Sequence, residues 1–264
     1  MPGSLLEIRK KIGGVKNTKK ITKAMQLVAA SKMRQFQKRA VSTRKYVWDL
    51  LKVLENNISV ETVYSQERAK GPILFVLYTS DKGLCGPLNN KLINGLFRAE
   101  MWTSLKTEER LLFTIGKKGN DFARNNGFDI EKYFSGIPEK LSALDAISLV
   151  DKILEYWREN KCKKIIFLSP HYKNSFTFYP VLKTFLPFSK EMITTNLHLR
   201  ETAGAETSND YMIYDPSKEF VIEKLQEQII QALFIQSFLE LKASEYSSRM
   251  MAMQSATDSA DRII

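Results

Sequence analysis

The chain has 264 residues, of which 44% are apolar and 26% are charged, a size that can bury one domain core plus an extension, or two small domains. Residues 1–60 hold fourteen Lys or Arg against three acids and so carry the whole formal net charge of +11. The longest uncharged apolar run, residues 228–239, is too short to span a bilayer, so we expect a soluble or peripheral protein. A basic excess confined to one stretch favours an acidic partner for that stretch.

The first sixty residues are predicted to form one long amphipathic helix. Ser4 can act as its N-cap with Glu7 three residues later, and we expect the helix to end near Asn56. Apolar residues spaced by three, four and their sums predict a stripe along one side: Ile8, Ile12, Val15, Ile21, Met25, Val28, Met33, Phe36, Val47, Leu50 and Leu54. At about 1.5 Å per residue, this helix would be roughly 80 Å long, so most of it cannot lie on its own globular core.

The middle of the chain, residues 70–212, is predicted to be an α/β domain that follows a polar linker at 58–71. Apolar runs of strand length are found at 72–80, 110–116, 163–170 and, more weakly, 128–134, with further strand-like pieces at 175–187, 193–199 and 210–215. Helical patterns occupy 88–102 and 142–160. This alternation favours a Rossmann-like domain with a mostly parallel sheet.

The last segment, residues 215–264, is predicted to be a second long helix, with Asp215 as N-cap and Pro216 at the first helical position. It contains neither Gly nor Pro after residue 216 and would be roughly 70 Å long. Its coiled-coil seam is predicted to consist of Leu239, Ala243, Tyr246, Met250, Met253, Thr257, Ala260 and Ile264. Two long helices that leave the same domain favour an antiparallel coiled coil.

The sequence offers no catalytic constellation. Gly-containing turns occur at 83–87 and 116–121, but neither has the spacing of a dinucleotide fingerprint or a phosphate loop. His171 and His198 lie outside any cluster of metal ligands, and Cys85 and Cys162 have no zinc-site spacing. We therefore expect no catalytic residue, no bound cofactor and no metal site.

Three stretches carry a resemblance to a known family. They read KNTKKITKAMQLVAASKMR from Lys16, TSDKGLCGPLN from Thr79 and SEYSSRMMAMQSATDSA from Ser244. In this order and spacing they resemble the gamma subunit of F-type ATP synthases, of the bacterial type, over essentially the whole chain. The resemblance implies a non-catalytic rotor subunit whose two terminal helices form the central shaft inside a hexamer of alternating alpha and beta subunits. It also implies that the α/β domain lies against the epsilon subunit and the membrane c-ring.

The resemblance further implies a partner-binding surface for the alpha/beta hexamer, formed by Lys23, Met25, Lys32, Arg34, Arg249 and Met250. Met25 matches the shaft position that faces an acidic loop of beta, and Arg249 matches a basic position at the lower opening of the hexamer. Lys23, Lys32 and Arg34 are included by their position on the same rod. For each basic residue, a solvated helix face is the alternative reading.

Family members usually continue beyond ATD, whereas this sequence stops at ADRII, so the resemblance implies a rod whose two helix ends lie nearly level. No plastid-type insertion and no transit peptide is recognised. These features favour a peripheral location at the cytoplasmic face of a bacterial plasma membrane, in a complex that couples proton flow to ATP synthesis.

A basic coiled-coil protein that binds nucleic acid is the alternative function. A rod with a charge of +11 would attract phosphates without sequence preference. No aromatic residue is interleaved with the first thirty-five residues, and no base-reading motif is found. We therefore expect no nucleic-acid partner.

Overall fold

The computed structural model describes residues 5–195 and 213–264. Two long helices, α1 (Leu5–Glu55) and α7 (Lys218–Ile263), enclose an α/β domain in sequence. The elements between them are β1 (Ile73–Tyr78), α2 (Leu88–Phe97), α3 (Glu100–Thr103), a 3₁₀ turn (Thr107–Glu109), β2 (Arg110–Ile115), α4 (Lys117–Asn125), β3 (Lys132–Phe134), α5 (Ala143–Arg158), β4 (Lys164–Asn174), β5 (Thr177–Leu186) and α6 (Lys190–Thr195). The division of the chain into domains at 1–60, 70–212 and 215–264 stays a prediction.

The five strands form one sheet in the order β3-β2-β1-β4-β5. Four of them run parallel, and β5 is antiparallel to β4. All six residues of β1 are buried, because helices cover both faces of the sheet, and this explains why its sequence is continuously apolar. The prediction of a Rossmann-like, mostly parallel sheet is confirmed.

The predicted helix at 88–102 is two helices, because the backbone at Ala99 is extended. Phe97 and Trp102 are five residues apart, and in a continuous helix their side chains would lie on different faces. The break instead brings the Trp102 ring to within 5.1 Å of both the Phe97 and the Phe75 ring centroids. Burial of Trp102 therefore outweighs the helical pattern at this point.

Three predictions at segment ends are wrong. Residues 193–195, predicted as part of a strand, belong to α6, whose first turn is capped by the Ser189 hydroxyl accepting from Met192 N. The strand predicted at 210–215 is not found at 213–215, the part of it that the structure describes. Residues 196–212, which include His198, lie outside the described residues. Helix α7 begins at Lys218 because the hydroxyl of Ser217, not Asp215, accepts from Phe220 N at 3.2 Å. Ser4 also lies outside the described residues.

Helices α1 and α7 form the predicted antiparallel coiled coil. The pairs that set its register run in opposite directions along the two helices: Thr22 with Thr257, and Phe36 with Tyr246. The predicted α7 seam is buried or half-buried from Leu239 to Ala260, whereas Ile264 is exposed. Among the helices of residues 5–195 and 213–264, none has the sustained apolar length that a membrane span requires.

The predicted stripe on α1 lies on the buried side only from Met33 onward, where Met33, Phe36, Val47 and Leu54 are buried. Toward the N-terminus, Ile21 is 60% exposed and Val28 is 57% exposed, although the stripe included both. The residues that line the side facing α7 and the domain are Thr22, Ala29, Met33, Phe36, Ala40, Arg44, Val47, Leu51 and Leu54. Small and polar residues in the seam allow close helix approach, and counting apolar residues alone misses them.

Helix α7 has two environments along its length. Its N-terminal half lies on the sheet, where Phe234 contacts the rings of Tyr78 and Phe167 at centroid distances of 5.9 Å. Beyond Arg249, one side of α7 is exposed, and the buried positions Met253, Thr257 and Ala260 lie on the side that pairs with α1. The coiled coil is therefore continuous with the core of the domain.

Candidate partner-binding surface

The outer face of α1 carries a basic stripe, which we define as Lys16, Lys20, Lys23, Arg34, Lys38 and Lys45. All six side chains are exposed, and their helical spacing places them on the side away from α7. Lys23 Nζ donates to Gln26 Oε1 at 3.3 Å, a contact within the same helix. Lys23 and Arg34 are thus placed where an acidic surface can approach them.

Met25 lies in an apolar strip on a different side of α1 from the basic stripe. Ile21, Met25 and Val28 occupy successive turns of one helix face, with Met25 half-buried and the other two exposed. An apolar strip that is partly exposed fits a partner segment that is itself apolar where it meets this side of the helix. This explains in physical terms how a residue of the predicted site can be apolar.

Lys32 is engaged by the chain's own α/β domain. Its Nζ contacts Glu139 Oε1 at 2.5 Å, and the same carboxylate oxygen accepts from the Tyr246 hydroxyl. The Lys32 ammonium also lies 5.5 Å from the centroid of the Tyr246 ring. The hydrogen bonds from Lys32 and Tyr246 lower the pKa of Glu139, so this carboxylate is ionised at neutral pH.

Arg249 is buried, with 8% of its surface exposed. Its guanidinium donates to Glu245 Oε1 at 2.8 Å and to the Gly83 carbonyl at 3.1 Å. It thereby fixes the loop after β1 against α7, while neighbouring Met250 is half-buried next to the coiled-coil seam. The structure therefore separates the predicted residues into an outer group on α1 and an inner group around Tyr246. Their contacts with a partner stay a prediction.

A buried charge cluster at the base of the coiled coil was missed by sequence reasoning. Glu240 of α7 is fully buried and accepts from Arg44 Nε of α1 at 2.9 Å and from Tyr172 N of β4 at 3.3 Å. His171 Nδ1 lies 3.2 Å from the same carboxylate. These partners lie 68 to 196 positions away from Glu240 in the chain, so no local sequence pattern indicates the cluster.

The electrostatics of this cluster also involve Lys183 of β5, which is fully buried. Burial by itself raises the pKa of Glu240, but Lys183, His171 and Arg44 outweigh it and leave that pKa well below its ordinary value. Burial lowers the pKa of Lys183, and Glu240 opposes this effect. The Glu240 carboxylate is thus the anion that pairs with the buried Arg44 and joins α1, α7 and the sheet.

The two Gly-containing turns have structural roles. They lie at the carboxyl ends of β1 and β2, close to the point between β1 and β4 where a doubly wound sheet usually binds its ligand. Helix α7 packs at this point, through Arg249 on the Gly83 carbonyl and the stacked rings of Tyr78 and Phe234. A Cβ on Gly116 would lie 2.1 Å from the Thr79 carbonyl oxygen, so glycine is required there for backbone approach.

The comparisons with known proteins agree with these motifs. The family model described as ATP synthase matches residues 4–264. The ATP synthase gamma chain of Parabacteroides distasonis is 30% identical over 266 residues, which cover 99% of this chain and 89% of that protein. The chain belongs to the ATP synthase gamma chain family. The gamma chain of Buchnera aphidicola is 29% identical over a match that covers 98% of this chain and 87% of the Buchnera protein. The identification made from the three sequence motifs is confirmed.

Solved structures share the fold. A chain of the Tetrahymena thermophila mitochondrial ATP synthase central stalk and c-ring superimposes with a TM-score of 0.68 at 22% identity, covering 89% of this chain and 99% of that one. A chain of the Euglena gracilis mitochondrial ATP synthase rotor gives a TM-score of 0.60 at 15% identity, covering 97% and 91%. The arrangement of two long helices on an α/β domain is therefore that of known central-stalk chains.

Proposed function

We propose that this chain is the central rotor shaft of a proton-translocating F-type ATP synthase and turns inside a hexamer of alternating alpha and beta subunits. The observation that carries the proposal is the antiparallel coiled coil with a basic outer face, in a chain of the gamma family. The chain contributes no catalytic residue, because ATP synthesis and hydrolysis take place on the beta subunits.

The asymmetry of the rod explains how rotation can act on distant sites. The basic stripe lies on α1 alone, on the side away from α7. A rod that is basic on one side attracts the acidic loop of whichever subunit that side faces, and turning the rod moves this attraction from one subunit to the next. The conformation of each catalytic subunit then follows the orientation of the shaft.

The α/β domain is the part through which torque enters. We assign its partners as the epsilon subunit and the c-ring, so the chain is a subunit of a membrane-associated complex and is itself peripheral, at the cytoplasmic face of a bacterial plasma membrane. The Glu240 cluster links both shaft helices to the sheet at the base of the rod. We assign Lys23, Met25 and Arg34 to direct contact with the hexamer, with Lys32, Arg249 and Met250 as further contact residues.

Reconstitution with purified alpha and beta subunits tests this function. We expect the chain to join the hexamer, with a strong dependence of the association rate on salt. Lys23→Glu combined with Arg34→Glu should slow association about tenfold, because exposed charges mainly affect the rate of encounter. Lys152→Glu combined with Lys106→Glu, an equal change of charge at two exposed positions of the α/β domain, is the matched control and should leave the rate unchanged.

Failure of the wild-type chain to join the hexamer refutes the proposal. Binding to nucleic acid that survives roughly 200 mM salt would instead favour the alternative, because phosphate-only binding weakens steeply with salt. Equal slowing by the control with Lys106 and Lys152 replaced would show that overall charge, rather than the basic stripe, determines association.

A further inference from the structure

The loop at 135–142, between β3 and α5, reaches both shaft helices. Glu139 at its centre contacts Lys32 Nζ of α1 at 2.5 Å and accepts from the Tyr246 hydroxyl of α7. Glu139 is 107 positions away from each of these partners in the chain. One acid of the α/β domain therefore holds two points of the shaft.

Lys32 and Tyr246 together form a site suited to a carboxylate. The ammonium and the phenol hydroxyl converge on one oxygen of Glu139, and charge-assisted hydrogen bonds of this kind are the stronger ones. The Tyr246 ring is held in place by Phe36, which stacks on it at 5.6 Å, and by the Arg249 guanidinium at 5.3 Å. The site is thus kept in shape by packing that does not involve Glu139.

The contact between Glu139 and this site is open to water. The side chains of Lys32 and Glu139 are 37% and 42% exposed, whereas those of the Arg44–Glu240 pair are 7% and 0% exposed. Most of the loop is exposed, and Ile137 and Leu141 keep it attached to the domain core. Exposed ion pairs contribute little to stability, so Glu139 can leave the site at little cost.

We propose that Glu139 is an exchangeable clasp. In the isolated chain it occupies the carboxylate site of Lys32 and Tyr246, and on assembly an acidic side chain of the surrounding subunits takes its place and releases the loop at 135–142. This inference rests on the proposed function, because it requires the shaft to enter an acidic hexamer. The clasp reduces the apparent affinity of the free chain by the fraction of molecules in which it is closed.

Affinity for the hexamer measures the clasp directly. Glu139→Gln removes the charge and keeps an acceptor for Tyr246, so the dissociation constant should fall by about two- to fivefold, the range expected for an exposed pair. In a Lys32→Gln background, Glu139→Gln should have no further effect, because the site that both carboxylates share is lost. Glu155→Gln is the matched control, since Glu155 pairs with Lys132 away from the shaft.

Amide hydrogen exchange provides a second measurement of the clasp, on the wild-type protein. Amides of residues 135–142 should exchange faster in the assembled complex than in the isolated chain. If wild type binds the hexamer and Glu139→Gln binds equally or more weakly, the clasp is refuted and the proposed function stands. Equal tightening by Glu155→Gln, or slower loop exchange in the complex, also overturns the clasp. Failure of wild type to bind refutes both.

Discussion

Replacing Glu240 is expected to weaken the attachment of the shaft more than any surface change. The carboxylate is fully buried and accepts from Arg44 Nε at 2.9 Å, so Glu240→Leu leaves a buried guanidinium without its anion. Breaking a buried ion pair in this way costs about 3–5 kcal/mol. For a protein with a free energy of unfolding of about 5–15 kcal/mol, this is a large fraction of the total.

Urea denaturation of the isolated chain measures this effect. Glu240→Leu should lower the free energy of unfolding by about 3–5 kcal/mol. Glu240→Gln should lower it by less, because the amide oxygen still accepts from Arg44. Glu155→Gln, which breaks an exposed pair, should change it by at most about 1 kcal/mol. A loss below about 1 kcal/mol for Glu240→Leu would refute the view that this anion holds the helices to the sheet.

The dependence on pH provides a further check of the same reasoning. The pKa of Glu240 is lowered in the folded chain, so its stabilising contribution is fully present above its ordinary pKa and is lost as the pH falls toward the folded-state value. Wild type should therefore lose stability through the acidic range, and Glu240→Gln should lose less over the same interval. Parallel pH curves for the two proteins would contradict the lowered pKa.

Two further changes test other parts of the structure. Gly116→Ala should destabilise the domain by about 1–3 kcal/mol in thermal or urea unfolding, because Gly116 has a φ of +88° and the new Cβ would meet the Thr79 carbonyl. Gly13→Ala is the control: it lies in open space on α1 and should be neutral or slightly stabilising. Met25→Lys should leave the melting of the isolated chain unchanged but raise the activation energy of ATP hydrolysis by the reconstituted complex, because a new cation would bind an acidic loop of beta too firmly. If the variant complex hydrolyses ATP with an unchanged activation energy and pumps protons as efficiently as wild type, Met25 does not lie at the interface with beta.

The strands and the α7 seam could be predicted because burial leaves a local pattern. Strand β1 is apolar without interruption, and β2 and β4 contain the apolar runs 111–113 and 165–168, as expected of strands covered on both faces. The N-terminal half of the α1 stripe was misplaced because the buried side leaves no such pattern there. Close contact between two helices selects small residues such as Ala29 and Ala40, and these do not stand out in a count of large apolar side chains.

The candidate surface could be predicted only in part. The exposure of Lys23 and Arg34 follows from their helical position, and the basic excess of α1 is evident from composition. The engagement of Lys32 by Glu139, and of Arg249 by the Gly83 carbonyl, depends on chain segments 107 and 166 positions away. Sequence gives the charges on each helix, but the folded chain determines which of them are already paired.

The residues of the coiled-coil seam change along the rod. Small residues such as Ala29, Ala40 and Ala243 alternate along the seam with aromatic rings such as Phe36 and Tyr246. Helix axes lie about 8–10 Å apart, with small side chains at the near end of that range. Sliding one helix along the other by a turn would press a ring against its neighbours at one level and leave a cavity at another. The alternation therefore opposes axial slip between the two helices.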